Sequence, residues 1–130
     1  VRDDPIVNLT DLVTAAPAER AVLWRLTGSP QLLANLVRLP AGDTVGEHRE
    51  SSLDVLLLVV DGGGTATVDG HRHELTAGTL LLLPRGASRA LHAGPTGLAY
   101  LTVHGHRAGG LQVGRPPADT PADPPRPPDR

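Results

Sequence analysis

The chain of 130 residues contains no cysteine, lysine, methionine or phenylalanine, and it has a single tryptophan, Trp24, and a single tyrosine, Tyr100. Without Cys there is no disulfide framework, no thiolate nucleophile and no sulfur-ligated zinc. Without Lys there is no Schiff-base chemistry. So few aromatic rings leave only Trp24 and Tyr100 as stacking surfaces for a sugar or a base. The formal net charge is −2 and the arginines are dispersed along the chain, so no basic stripe offers a footprint for nucleic acid. No apolar run approaches the roughly 20 residues that cross a bilayer, and Val1-Arg2-Asp3-Asp4-Pro5 lacks a charged-then-apolar signal pattern. These absences lead to the expectation of a soluble cytoplasmic protein, with no membrane partner. The Arg-only, Ala/Gly/Pro-rich bias suits a GC-rich bacterial genome.

What is present reads as short strands separated by turns. Ala21 to Leu26 and Gln31 to Leu39 flank Thr27-Gly28-Ser29-Pro30 and suggest a hairpin. The run Val55 to Val60 stops at Asp61-Gly62-Gly63-Gly64, which reads as a loop. Thr65 to Val68 meets His71 to Leu75 across Asp69-Gly70, a dipeptide that favours a two-residue hairpin because both positions take positive φ. Thr79 to Leu83 ends at Pro84-Arg85-Gly86, Arg89 to His92 turns at Ala93-Gly94-Pro95-Thr96-Gly97, and Leu98 to Val103 follows. A short helix is expected only near Leu9 to Arg20, with Thr10 or Asp11 as its cap. Regular short strands of this kind predict an all-β antiparallel sandwich or barrel.

The expected organisation is an N-terminal extension at 1–20, a β-barrel at 21–113 and a tail at 114–130. Seven prolines and no large apolar side chain from Arg115 onward make that tail a disordered, polyproline-rich segment by composition. Two runs, Val55 to Val60 and Leu80 to Leu83, are apolar at every position, whereas a strand with one wet face alternates. Both of their faces require cover, from the N-terminal hairpin or from a second subunit, and a homodimer is expected on this ground.

Two segments carry a recognisable spacing. Gly42 is followed after five residues by His48-Arg49-Glu50, after three more by Asp54, and after six more by Asp61-Gly62; Gly78 is followed after five residues by Pro84-Arg85-Gly86, after two more by Arg89, and after three more by Ala93. This resembles the paired motifs of the cupin superfamily. The resemblance implies a double-stranded β-helix, or jelly-roll, barrel. It also places His48, Glu50, Asp54 and Arg89 where the family carries its metal ligands, three His and one Glu. The turn positions Gly42, Gly78, Pro84 and Gly86 match, and of the ligands only His48 is retained.

Strand alternation gives His48, Glu50 and Asp54 one parity, so all three can point into the barrel, and the resemblance adds Arg89 beside them. An Arg there takes over the charge balancing that a metal supplied, so zinc or iron is not expected; an oxygen-rich set with one imidazole would suit Mn²⁺, Mg²⁺ or Ca²⁺ instead. Three functions stay open. The first is a small-molecule-binding barrel, extending to a metal-independent isomerase, cyclase or lyase for a small anionic metabolite, with His48 and Glu50 as acid and base and Asp54, Arg89 and Tyr100 lining the ligand. The second is a non-catalytic sensing or regulatory barrel, and the third a weak Mn-type metal enzyme. His71 and His73 have His-x-His spacing but flank the Asp69-Gly70 hairpin and are read as surface, whereas His104 and His106 repeat the spacing after the last strand with no carboxylate nearby in sequence, where a fortuitous but not a physiological metal site is expected.

Overall fold

The computed structural model describes residues 6–106; the tail from 114 onward lies outside them. One helix, α1 (Leu9–Ala15), precedes seven strands: β1 (Ala21–Arg25), β2 (Leu32–Leu39), β3 (Thr44–Arg49), β4 (Val55–Val68), β5 (His71–Thr76), β6 (Leu80–Leu83) and β7 (Ser88–Gly105). The helix is capped by Asn8, whose side chain accepts from the backbone N–H of Asp11 at 2.9 Å. The cap thus sits two or three residues ahead of the expected Thr10 or Asp11, because the backbone leaves the extended region at Asn8.

All strand pairs are antiparallel. The long strands β4 and β7 pair with each other along most of their length and belong to both layers of the barrel. Their upstream and downstream halves split the partners: β1, β2, the second half of β7, the first half of β4 and β6 form one layer, while β3, the first half of β7, the second half of β4 and β5 form the other. Between the layers lies an apolar core built from Leu39, Leu57, Val59, Ala66, Leu75, Leu83, Leu91, Leu98 and Tyr100 among others. The architecture is the jelly-roll barrel that the sequence led one to expect.

Two glycine-rich stretches behave differently from that expectation. Asp61-Gly62-Gly63-Gly64 and Ala93-Gly94-Pro95-Thr96-Gly97 are not loops; β4 and β7 run through them. Register shifts between Val59 and Asp61 and between Gly62 and Gly64 mark bulges that bend β4 from one layer into the other. Glycine is required there by crowding. A Cβ on Gly62, which has φ +73°, would overlap the carbonyl of Gly97, and one on Gly64 would overlap that of His92. The Asp69-Gly70 turn, by contrast, is the expected tight hairpin, with φ of 49° and 81° at its two residues.

A second apolar cluster lies outside the barrel, where Val13, Leu9 and Leu12 of α1 pack on Leu36, Ala99, Leu101, Val60 and the β1 residues Leu23 and Trp24. The cover for the two-faced strand β4 therefore comes partly from the N-terminal helix.

Candidate functional site

The site predicted from spacing lies where the end of β3, the loop 50–54 and the turn 84–86 meet the start of β7. Val45 of β3 stands opposite Leu91 and His48 opposite Arg89, so three residues on β3 span two on β7. The extra residue is a bulge at Gly46-Glu47. Strict strand alternation did not anticipate it; Gly46, a glycine inside a strand, is the one local signal that could have. The bulge keeps both Val45 and His48 opposite inward-facing residues, although they are separated by an odd number of positions.

Arg89 is 6% exposed and follows the same inward row of β7 as Leu91 and Ala93. Its neighbours across the strands are His48 on β3 and Val68 on β4. Its Nε and Nη1 are buried and have no hydrogen-bond partner. Among the described residues no ion pair joins it to a carboxylate. The expected balancing by Glu50 and Asp54 is thus absent, and the reason is that both carboxylates are engaged elsewhere. Asp54, exposed at the start of β4, accepts from the backbone N–H of Arg85 through Oδ1 at 2.8 Å. Glu50 is half-buried, and its Oε2 accepts from the backbone N–H and hydroxyl of Ser52 at 3.0 and 2.9 Å.

The same loop is laced to the turn by its backbone. Gly86 N–H donates to the Glu50 carbonyl at 2.7 Å, and Arg49 Nη1 donates to the Gly86 carbonyl. Glu50 and Asp54 therefore shape the mouth of the barrel, and among the described residues neither forms an ion pair with Arg89. His48 is exposed at that mouth; its Nδ1–H donates to the Gly46 carbonyl at 2.9 Å, which leaves Nε2 as the free, basic nitrogen.

Spacing gave no sign of Glu47 and Ser88. Ser88 is buried, donates its hydroxyl to Glu47 Oε2, and has its backbone N–H held by Asp69 Oδ1 at 2.9 Å. This pair flanks Arg89 on the opposite strand face and fixes the β3–β7 register beside it.

Tyr100 is buried in the core, opposite Val37 and Val59. Burial raises its pKa above 10.0, and the Arg20 guanidinium opposes the rise only in part. It lines the interior, in the second half of β7, away from the mouth formed by the first half. His71 and His73 are exposed on β5, and His104 Nδ1–H donates to the Gly105 carbonyl at 2.8 Å.

The donor set does not fit a divalent ion. Arg89 stands at one ligand position with its charge unanswered, Asp54 is turned to the Arg85 N–H, and among the described residues no three His, Asp or Glu side chains converge.

Fold and site together define a jelly-roll barrel with a buried arginine, Arg89, on the inner face of its mouth. The cupin-domain family model matches residues 35–105, and the chain belongs to that family. Solved structures agree at the level of fold. A Bacillus halodurans protein superposes with a TM-score of 0.67 at 21% identity over 78% of this chain and 81% of its own. A Thermus thermophilus protein gives 0.64 at 22% identity over 77% and 95%. KdgF from a Halomonas species gives 0.58 at 21% identity over 68% and 81%. Comparison with curated protein sequences yields no match. Among the described residues no helix is long and apolar enough to cross a membrane.

Proposed function

We propose that the protein is a small-molecule-binding cupin whose ligand is a small anion held by Arg89. The observation that carries this reading is the guanidinium itself, with two buried nitrogens that lack any acceptor. A buried unpaired charge costs several kcal/mol, on the order of what a charge-assisted bond to a bound carboxylate or phosphate oxygen restores. The apolar residues around it, Leu91 and Val68, suit the hydrocarbon part of such a ligand. His48 at the mouth offers a basic Nε2 for proton transfer, which supports the isomerase, cyclase or lyase extension of the reading.

A specific observation favours binding without catalysis as the second reading. Glu50, the expected second acid–base group, spends one oxygen on Ser52, and Asp54 is fixed to the Arg85 N–H. Thermal shift and calorimetry with a series of small mono- and dicarboxylates and inorganic phosphate test the anion site. Binding by the native chain, lost in Arg89→Met, is the expected result; binding that survives Arg89→Met sinks it. His48→Gln should retain binding and remove turnover if the barrel is catalytic.

A further inference from the structure

We infer that the anion held by Arg89 is a hydroxylated carboxylate, whose hydroxyl is read by Asn35 and Thr102 on the wall of the barrel that faces the guanidinium. The inference rests on the anion-site reading and supplies the other half of the ligand.

The mouth has two walls. The loop 50–54 joins Arg49, paired with Ser88 in one layer, to Val55, paired with Leu83 in the other, and the turn 84–87 makes the same crossing from Leu83 to Ser88. The start of β4 and the end of β7, which pair at Leu56 and Val103, therefore stand across the mouth from Arg89 and His48. Packed layers lie about 10 Å apart, so a small ligand on the guanidinium meets this second wall.

The inward row of that wall changes character toward the mouth. On β7 it runs Leu98, Tyr100, Thr102, His104, and on β2 it runs Leu39, Val37, Asn35. The register sets Asn35, Thr102, Leu57 and Leu81 on one rung, and the rung faces inward because Leu57 belongs to the barrel core and Leu81 packs against it. The opposite wall changes in the same sense, from Val45 to His48 on β3 and from Ala93 and Leu91 to Arg89 on β7. Folding alone does not demand this. β4 and β6 keep their inward rows apolar to the end, with Val55 and Leu83.

Asn35 and Thr102 are half-buried, and among the described residues neither side chain has a protein hydrogen-bond partner. Polar groups turned inward cost stability unless an acceptor or donor answers them. A ligand hydroxyl answers both, since it donates to the amide oxygen of Asn35 and accepts from the hydroxyl of Thr102. His104, further out on the same row, has its Nδ1–H tied to the Gly105 carbonyl and keeps Nε2 as another acceptor. Leu57 and Leu81 complete the rung with apolar contact for the carbon skeleton.

Calorimetry on the full chain with matched ligands tests the assignment: lactate and glycerate against propionate, and malate against succinate. At least one hydroxylated member should bind about tenfold or more tightly than its parent. In the double variant Asn35→Leu, Thr102→Val the ratio should fall to about one, while affinity for the parent carboxylate stays within about threefold of native. Each single variant should lower the ratio on its own, and Thr102→Ser should keep it, so the test does not depend on the double variant folding. A ratio of one in the native chain overturns the inference, as does a preference that survives the double variant, because both leave Asn35 and Thr102 to solvent. Failure of every carboxylate to bind, or binding that survives Arg89→Met, is a different result: it sinks the anion site and this inference with it.

Discussion

A guanidinium does not give up its proton in a protein, so Arg89 carries its charge into the apolar interior whether or not an anion is there. Two effects of opposite sign follow from replacing it. In Arg89→Met the unpaired charge disappears and the stem volume stays, and the ligand-free protein should become more stable by about 1–4 kcal/mol, read as a rise in Tm. The same variant should lose stabilisation by small carboxylates. A fall in stability instead would mean that Arg89 is a structural strut. Tyr100 gives an independent test of the interior. Its folded pKa is raised above the ordinary 10.0 by burial, so below pH 10 both states hold the proton and nothing is gained or lost. Above pH 10 the unfolded chain releases it first, and stability falls by up to about 1.4 kcal/mol per pH unit until the folded pKa is reached. With no lysine and no second tyrosine in the chain, tyrosinate absorbance and alkaline unfolding both report this one residue; a titration midpoint at or below 10 would contradict the burial. Which residue stood at the Arg89 position was legible from its distance to Pro84-Arg85-Gly86. That its charge is unanswered was not, because the capping bonds that divert Asp54 and Glu50 depend on how a loop and a turn pack.

The strands show the same division between what spacing reveals and what contact decides. Asp69-Gly70 was readable because its φ requirement is local, whereas Asp61-Gly62-Gly63-Gly64 looks like a turn by composition and is a bent strand in fact. The difference comes from the partner strand: Gly97 and His92 press their carbonyls against Gly62 and Gly64, and no local sequence pattern announces a neighbour so distant along the chain. Gly62→Ala combines a positive φ with that overlap and should destabilise by about 3 kcal/mol or more, measured by urea unfolding, by the mechanism of backbone strain plus overpacking. Gly70→Ala has a positive φ but open space around it, and should cost only about 1 kcal/mol. Equal losses at the two sites would show that conformation, not crowding, is the reason for glycine at the bend. At the mouth, Asp54→Ala removes the acceptor for the Arg85 N–H; that exposed bond is worth about 1 kcal/mol or less, so the variant should fold and bind anions as before, while Asp54 acting as a ligand contact would make it fail to bind.

At the scale of the whole molecule, the runs of leucine and valine in β4 and β6 demanded cover on both faces, and that demand was legible because strands with a wet face alternate. Its answer was divided in a way the sequence did not disclose: the barrel core takes Leu57, Val59, Leu81 and Leu83, α1 takes Leu36, Leu101 and Val60, and Leu56, Leu80 and Leu82 are left over. The helix is a seven-residue element, too short to be stable alone and too short to reach β6. If a second copy completes the cover, folding and association are linked, and the apparent stability must depend on protein concentration. The Tm of the full chain should then rise by a few degrees across a hundredfold increase in concentration, since mass action adds about 2.7 kcal/mol per hundredfold excess over Kd. In Leu80→Glu, Leu82→Glu the dependence should vanish while the barrel remains folded, because neither side chain belongs to its core. A Tm that is flat with concentration in the native chain would leave the leucine face bare in solution and would separate the anion site, which needs only one barrel, from any role for a dimer.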